Sequence, residues 1–392
     1  MHPVKYLTYG VCIVFALIFG IASAGAYSSL DAMLQPYLEV HRLPALAAAV
    51  VQNGEIVAAG AVGTRRAGAN LPVSIDDRFH LGSDTKAMTS LLAAIQVESN
   101  KLRWDSTVGE VFPELAEKLN PELKKVTLQQ LLSHTSGIPA DNDEFGALLG
   151  KAMLQDGNLD EMRYWLVRQC GPLSLTSSPG ANFTYANMNY VFAGAMIERA
   201  AGKTWEELIT GLIFEPLGLK TAGFGPQASL GKIDATLGHA VIDGKLKAFL
   251  SGPNGDNPPV IGPAGNAHMS ILDFARWAGW NAGEGKRGPK LVRAETLKKL
   301  HTPVISTPPK MNPRPGTPSH GKYGLGWGEV QVDWAPEPLL SHGGSNGKNL
   351  AFIWVEPKRD FAMVLMTNVG GEKADQALYA LSRELYGRYG KR

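Results

Sequence analysis

Two apolar hairpins, one near each end of the chain, limit the fold more than anything between them. Residues 45–51 and 56–62 flank Asn53-Gly54, the dipeptide best suited to a two-residue turn in which both positions take positive φ. Residues 350–355 and 361–367 flank the turn Glu356-Pro357-Lys358-Arg359-Asp360, and a helical segment follows from about 372 to 388. A short helix is expected over 29–39. The stretch from about 105 to 276 alternates helical segments, such as 191–201, with Gly/Pro loops and carries few strand signals. This order predicts an α+β fold: an antiparallel β-sheet formed from both termini and flanked by helices, with an inserted, mainly helical lobe. Pro and Gly crowd residues 251–265 and 302–321, which are expected to be long surface loops near a cleft.

Composition excludes several function classes. With 44% hydrophobic and 19% charged residues in 392, the chain can bury a sizeable core and lacks the signature of disorder. Its 38 basic and 36 acidic residues are scattered, so no basic stripe points to nucleic acid. Lys5 precedes an apolar run over 11–21 that ends in small residues, which reads as a signal peptide over 1–26 and an exported, periplasmic or secreted protein. An uncleaved leader would instead leave a membrane anchor. Cys170 is then the single cysteine of the mature chain, and no intramolecular disulfide can form. No His-Glu-x-x-His occurs and no two histidines lie within four residues, so neither a metal nor another cofactor is expected.

The chemistry starts at Ser83. A serine becomes nucleophilic when a nearby base takes its proton, and a lysine one helical turn later can do this if its charge is disfavoured. Ser-x-x-Lys occurs four times, at Ser83/Lys86, Ser229/Lys232, Ser319/Lys322 and Ser345/Lys348. Only the first heads an almost wholly apolar helical run, 86–97, where burial would depress the lysine pKa. Tyr185 and Asn187 add a phenol that can relay protons and an amide that can orient a lysine. A turn with Asn187 capping the next helix accounts for the same two residues. His342-Gly343-Gly344 follows an apolar pair, as in a strand along which a substrate backbone can lie, or in a strand that simply ends in a glycine turn. His134 reads as part of a structural turn, Gly324 to Gly328 is no phosphate loop because no helix follows it, and Trp327 is expected to line the cleft.

In these residues the chain resembles the serine β-lactamases and penicillin-binding DD-peptidases, especially the class C branch with its esterase and D-aminopeptidase relatives. The likeness runs in order through LPALAAAVVQNGEIV, FHLGSDTKAMTS, VTLQQLLSHTSGIP, FTYANMNYVFAG, IFEPLGLKTAGFG, PAGNAHMSILDFARW, YGLGW and LLSHGGSNG. It implies one β-lactamase-like catalytic domain over 27–392, its α/β part about 27–103 and 322–392 and its helical lobe about 104–321. It further implies Ser83 as nucleophile, Lys86 as proton acceptor, Tyr185 as acid/base and Asn187 as the group that positions Lys86 and substrate. His342 would serve the site from the third motif. Backbone N–H groups of Ser83 and Ser345 would form the oxyanion hole, with Gly343 and Gly344 keeping that edge open to substrate. Strong β-lactamases carry Lys-Thr-Gly where this chain has His342-Gly343-Gly344, which resembles the peptidase and esterase branches. The implied activity is that of a β-lactamase-like esterase or peptidase that forms an acyl-enzyme on Ser83 and hydrolyses an ester, amide or β-lactam bond in a small molecule or peptide; the alternatives are a D-Ala-D-Ala carboxypeptidase, a D-aminopeptidase, or a penicillin-binding sensor without turnover. Oligomeric state is left open.

Overall fold

The computed structural model describes residues 27–250, 252, 255–311 and 318–390. The expected signal peptide, residues 1–26, lies outside the described residues.

Strands from the two ends of the chain do share one sheet. Strand β1 (Ala45–Gln52) pairs with β2 (Glu55–Gly63) through a turn in which Asn53 and Gly54 both take positive φ. From the far end come β3 (Leu339–Ser345), β4 (Leu350–Glu356) and β5 (Phe361–Thr367). The spatial order β2–β1–β5–β4–β3 is antiparallel throughout, with Val364 opposite Ala49 and His342 opposite Ile353. Short strands extend the edges to nine: Ser28–Ser29, which pairs parallel with β2, and Gly328–Val330, Lys322–Tyr323 and Ile305–Ser306 beyond β3.

Helix α1 (Asp31–His41) lies between the edge strand Ser28–Ser29 and β1. Between β2 and β3 run α2 (Thr85–Glu98), α3 (Leu128–Leu132), α4 (Asp143–Ala152), α5 (Leu159–Cys170), α6 (Asn187–Ala201) and α7 (Ile271–Ala282), among further turns and helices that include Ala294–His301, and α8 (Glu372–Tyr389) closes the described chain. Helices α1 and α8 cover one face of the sheet and α7 the other. Successive side chains of a strand point to opposite faces, so Ala47, Ala49 and Val51 join one core while Leu46, Ala48 and Val50 join the other. Burial on both faces explains why β1 and β5 read as continuous apolar runs rather than alternating ones. Within the lobe, the buried Arg163 guanidinium of α5 bridges Glu198 of α6 and Glu206, each at 2.7 Å.

The middle of the chain departs from the sequence reading in two places. It contains a hairpin, Gly238–Ile242 with Lys245–Phe249, and a three-stranded sheet of Arg78–His80, Ala267–Ser270 and Gly223–Phe224. Strands of two to five residues are too short to show a two-residue period. Residues 260–265, expected on the surface, are buried as a turn beneath α2, because the pairing of Arg78–His80 with Ala267–Ser270 draws them inward.

Candidate active site

The site is assembled where α2 meets the open end of β3. Ser83 lies in a 3-10 turn, Gly82–Asp84, that runs directly into α2, which places Lys86 one turn further along the same face. Helix α2 is buried on nearly all sides, and Lys86 is fully buried with it. Taking an ammonium out of water is costly, so burial lowers the Lys86 pKa to about 7 even though the Asp141 and Asp84 carboxylates pull the other way.

Three contacts fix the amine. Lys86 Nζ lies 3.0 Å from Ser83 Oγ, 2.6 Å from Asn187 Oδ1 and 2.7 Å from the carbonyl of Ala264 in the buried turn. The amide orientation of Asn187 follows from its other end, where Nδ2 donates to Asp141 Oδ2 at 2.6 Å and the backbone N–H donates to Oδ1 at 2.9 Å. Asn187 Oδ1 must therefore face the lysine. A carbonyl and an amide oxygen only accept, so they take both N–H bonds of the neutral amine, and its lone pair is left for the Ser83 hydroxyl. Asn187 itself is the first residue of α6, after Ala186, and does not cap it.

Tyr185 stands beside this pair, with its ring centroid 4.9 Å from Lys86 Nζ and its hydroxyl hydrogen-bonded to Ser83. Burial pushes its phenol well above the ordinary value, so Tyr185 is neutral where Lys86 titrates. His134 packs against the Tyr185 ring at 4.3 Å, occupies a turn with positive φ after α3, and accepts the Thr184 N–H through its carbonyl. Burial holds its imidazole far below the usual range.

Across the cleft, β3 approaches Ser83 through glycines. A Cβ on Gly344 would come within 2.6 Å of Ser83 N, and one on Gly82 within 2.3 Å of Ser345 N, so only glycine at both positions lets the two amides converge. Gly343 differs from expectation: a Cβ there would meet the Phe352 ring, away from Ser83. His342 Nε2 lies 3.1 Å from the Tyr323 hydroxyl and Nδ1 3.0 Å from the Gly343 carbonyl, which fixes Nδ1 as donor and Nε2 as acceptor. Burial, reinforced by the Lys86 charge, lowers its pKa to about 3, so the ring is neutral. Trp327 does not line the cleft. Gly326 turns the chain with positive φ, and the indole is buried in the core between Trp277 and His301.

Sequence reasoning missed five groups at this site: Asp141, Ala264, Tyr323, His80 and Asp256. The last two form a brace. His80 Nδ1 accepts the Gly82 N–H at 3.0 Å, and its Nε2 lies 3.0 Å from Asp256 Oδ1, which also accepts Asn346 Nδ2 at 2.8 Å. One carboxylate thus ties the residue before Ser83 to the residue after Ser345. Asp256→Ala is expected to lower kcat on the order of tenfold with KM little changed, because displacing the Ser83 and Ser345 amides by a fraction of an ångström would spoil their aim at a bound carbonyl oxygen. Asp256→Asn, which can still accept both bonds, is expected to recover most of the loss. Equal kcat in wild type and Asp256→Ala would show the brace to be idle. Among the described residues no group of His, Cys, Asp or Glu is arranged to hold a metal ion.

A serine beside a buried, neutralisable lysine, flanked by a phenol and an amide at the edge of the sheet, is the arrangement expected of the serine β-lactamase and penicillin-binding protein superfamily. The chain belongs to the Beta-lactamase family, whose profile matches residues 30–386. It is 26% identical over 356 residues to penicillin-binding protein 4 of Amycolatopsis lactamdurans, covering 88% of this chain and 86% of that one. It is 23% identical to protein flp of Staphylococcus aureus strain MW2 over 91% of this chain and spans only 66% of that protein's length. Among solved structures, the octameric penicillin-binding protein homologue from Pyrococcus abyssi superposes with a TM-score of 0.72 at 26% identity, over 90% of this chain and 76% of that one. A D-stereospecific amidohydrolase from Streptomyces sp. shares the fold, with a TM-score of 0.68 at 20% identity over 89% and 97% of the two chains.

Proposed function

We propose that this protein is a serine hydrolase that forms an acyl-enzyme on Ser83 and then hydrolyses it. One observation carries the reading: both N–H bonds of Lys86 are taken by oxygens that only accept, so the amine lone pair is left for the Ser83 hydroxyl 3.0 Å away. In acylation, the Ser83 proton passes to Lys86 Nζ while Oγ bonds to the substrate carbonyl carbon. The resulting oxyanion lies between the Ser83 and Ser345 amides, donors worth about 3 kcal/mol each in other acyl-transfer enzymes. Tyr185, neutral and bonded to Ser83, relays the proton to the leaving group as the carbonyl–leaving-group bond breaks. In deacylation the same groups take a proton from water and return one to Ser83.

Esters, amides and β-lactams all present such a carbonyl, and the likeness to penicillin-binding proteins supports acylation by β-lactams. The neutral His342 offers no cation to a substrate carboxylate at that end of the cleft. This favours an esterase or aminopeptidase-like substrate over a D-Ala-D-Ala carboxypeptidase or an efficient β-lactamase. The apolar leader read from residues 1–26 supports export to the periplasm or beyond.

The test is to incubate the protein with an alkyl fluorophosphonate and sequence the digested adduct by mass spectrometry. The expected adduct is on Ser83, with sustained turnover of an aryl acetate before labelling and none after it. An adduct on another residue would refute the nucleophile, and a single turnover per molecule would convert the reading to a sensor.

A further inference from the structure

Asp84 follows Ser83 directly, and its side chain is wholly out of water. An aspartate at the head of a helix ordinarily caps it, a carboxylate oxygen accepting a backbone N–H two or three residues on. Here the backbone is already helical at Asp84, with φ −59° and ψ −20°, and the side chain makes no such bond to α2. Neither Oδ1 nor Oδ2 has a hydrogen-bond partner among the described residues. Burial pushes the carboxyl group well above the ordinary range, against the pull of Lys86. A buried polar group without a partner costs stability, so the fold alone gives no reason to keep this one.

What the carboxyl group faces is His342. Asp84 Oδ1 lies 3.9 Å from His342 Nδ1, about 1 Å beyond a hydrogen bond. The ring carries a hydrogen there, because Nδ1 donates to the Gly343 carbonyl at 3.0 Å while Nε2 accepts from the Tyr323 hydroxyl. An aspartate oxygen can accept that hydrogen whether or not the other oxygen is protonated. Asp84 sits just past Ser83 on the turn and His342 just before Gly343 on β3, and the two backbones touch between them: a Cβ on Gly344 would come within 2.8 Å of Asp84 N. On the other flank of the Ser83 and Ser345 amides, the His80–Asp256 brace already ties Gly82 to Asn346. The two amides are thus held on one side and open by about 1 Å on the other.

A carbonyl oxygen between those amides becomes more negative as the tetrahedral intermediate forms and draws both donors inward, and bonds that are long in a free enzyme tighten in that complex. Resting on the acyl-enzyme reading above, we infer that Asp84 is a positioning residue whose carboxyl group closes onto the His342 Nδ1–H as the oxyanion forms, locking the Ser83 turn against β3. No proton changes hands, since Nδ1 keeps its hydrogen and Oδ1 accepts it. The bond is missing from the resting enzyme, so it lowers the barrier and leaves substrate binding as it was.

Kinetics and stability measured together test this. Asp84→Leu removes the acceptor at similar shape, and Asp84→Asn keeps an acceptor oxygen. With an aryl acetate, Asp84→Leu is expected to lower kcat roughly tenfold with KM unchanged. Inhibition by phenylboronic acid, whose tetrahedral adduct on Ser83 mimics the oxyanion, should weaken by a similar factor. The variant should melt no lower than wild type, because an unpaired buried group is gone. Asp84→Asn should recover most of kcat, and Asp84→Leu added to His342→Phe should cost nothing further, because the two side chains act as a pair. Wild-type kcat and boronate affinity in Asp84→Leu, a loss that falls on KM, or losses that multiply in the double variant would overturn the inference, while Ser83 labelling leaves the serine hydrolase standing. Lower melting temperatures in both Asp84→Leu and Asp84→Asn, with kcat per folded molecule unchanged, would show Asp84 to be structural. Absence of both acetate turnover and Ser83 labelling in wild type would remove the acyl-enzyme reading and this one with it.

Discussion

Ser83→Ala is expected to lower steady-state turnover by at least four orders of magnitude and to abolish covalent labelling, while the thermal transition stays within a few degrees of wild type. The size follows from what remains. Lys86, Tyr185 and the two amides would still bind and polarise a carbonyl, but none of them can form the ester bond that divides the reaction into two easier steps. In serine proteases, loss of the nucleophile costs on the order of 10⁶ in kcat, and the residual rate comes from binding and the oxyanion hole. Stability should hold because Ser83 is only half-buried and its hydroxyl is shared between Lys86 and Tyr185, not enclosed in the core. Burst-free assays of both proteins with an aryl ester, alongside thermal melts, check the pair of outcomes. Turnover within tenfold of wild type by a folded Ser83→Ala protein would exclude Ser83 as nucleophile.

How much of this could be read from the chain depends on how local each feature is. The hairpin at Asn53-Gly54 and the buried helix α2 were legible because turn chemistry and apolar runs act over a few residues. The Ser83/Lys86 pair shared that advantage, since one helical turn brings the two together. The groups that tune the lysine did not. Asn187, named through the family likeness, and Ala264, which nothing marked, reach it from 101 and 178 residues away, and only the folded chain turns that separation into contact. Asp141 and Asp256 are single carboxylates in polar loops, where an acidic side chain usually has no special role, so nothing marked them. Trp327 misled for a related reason. An aromatic residue in a glycine-rich stretch reads as a cleft wall, but the positive φ at Gly326 sends the indole inward against Trp277. The turn at 260–265 is a composition-based error of the same kind, because Gly and Pro there allow close packing under α2 instead of exposure.

The largest pH effect should come from Lys86. Its neutral form is the one able to accept the Ser83 proton, so kcat/KM is expected to be low in acid and to rise with pH through about 7, the value to which burial has lowered the amine. Lys86→Met removes the acceptor, and Lys86→Arg replaces it with a group that stays protonated; each should lower acylation by about 10²- to 10⁴-fold and erase the limb near pH 7. The same shift appears in stability, with the sign fixed by linkage. A lysine whose folded pKa lies below its unfolded value penalises folding fully below the folded pKa, and the penalty is relieved as pH rises toward the unfolded value near 10.5. Between pH 7 and 9 this amounts to about 2 kcal/mol of added stability from this residue, an increment that Lys86→Met should lack. Urea titrations at the two pH values, compared between wild type and variant, isolate it from every other titrating group. A limb near pH 7 that survives in Lys86→Met would show that another group governs acylation, and equal pH increments in the two proteins would show that Lys86 is not held neutral by its burial.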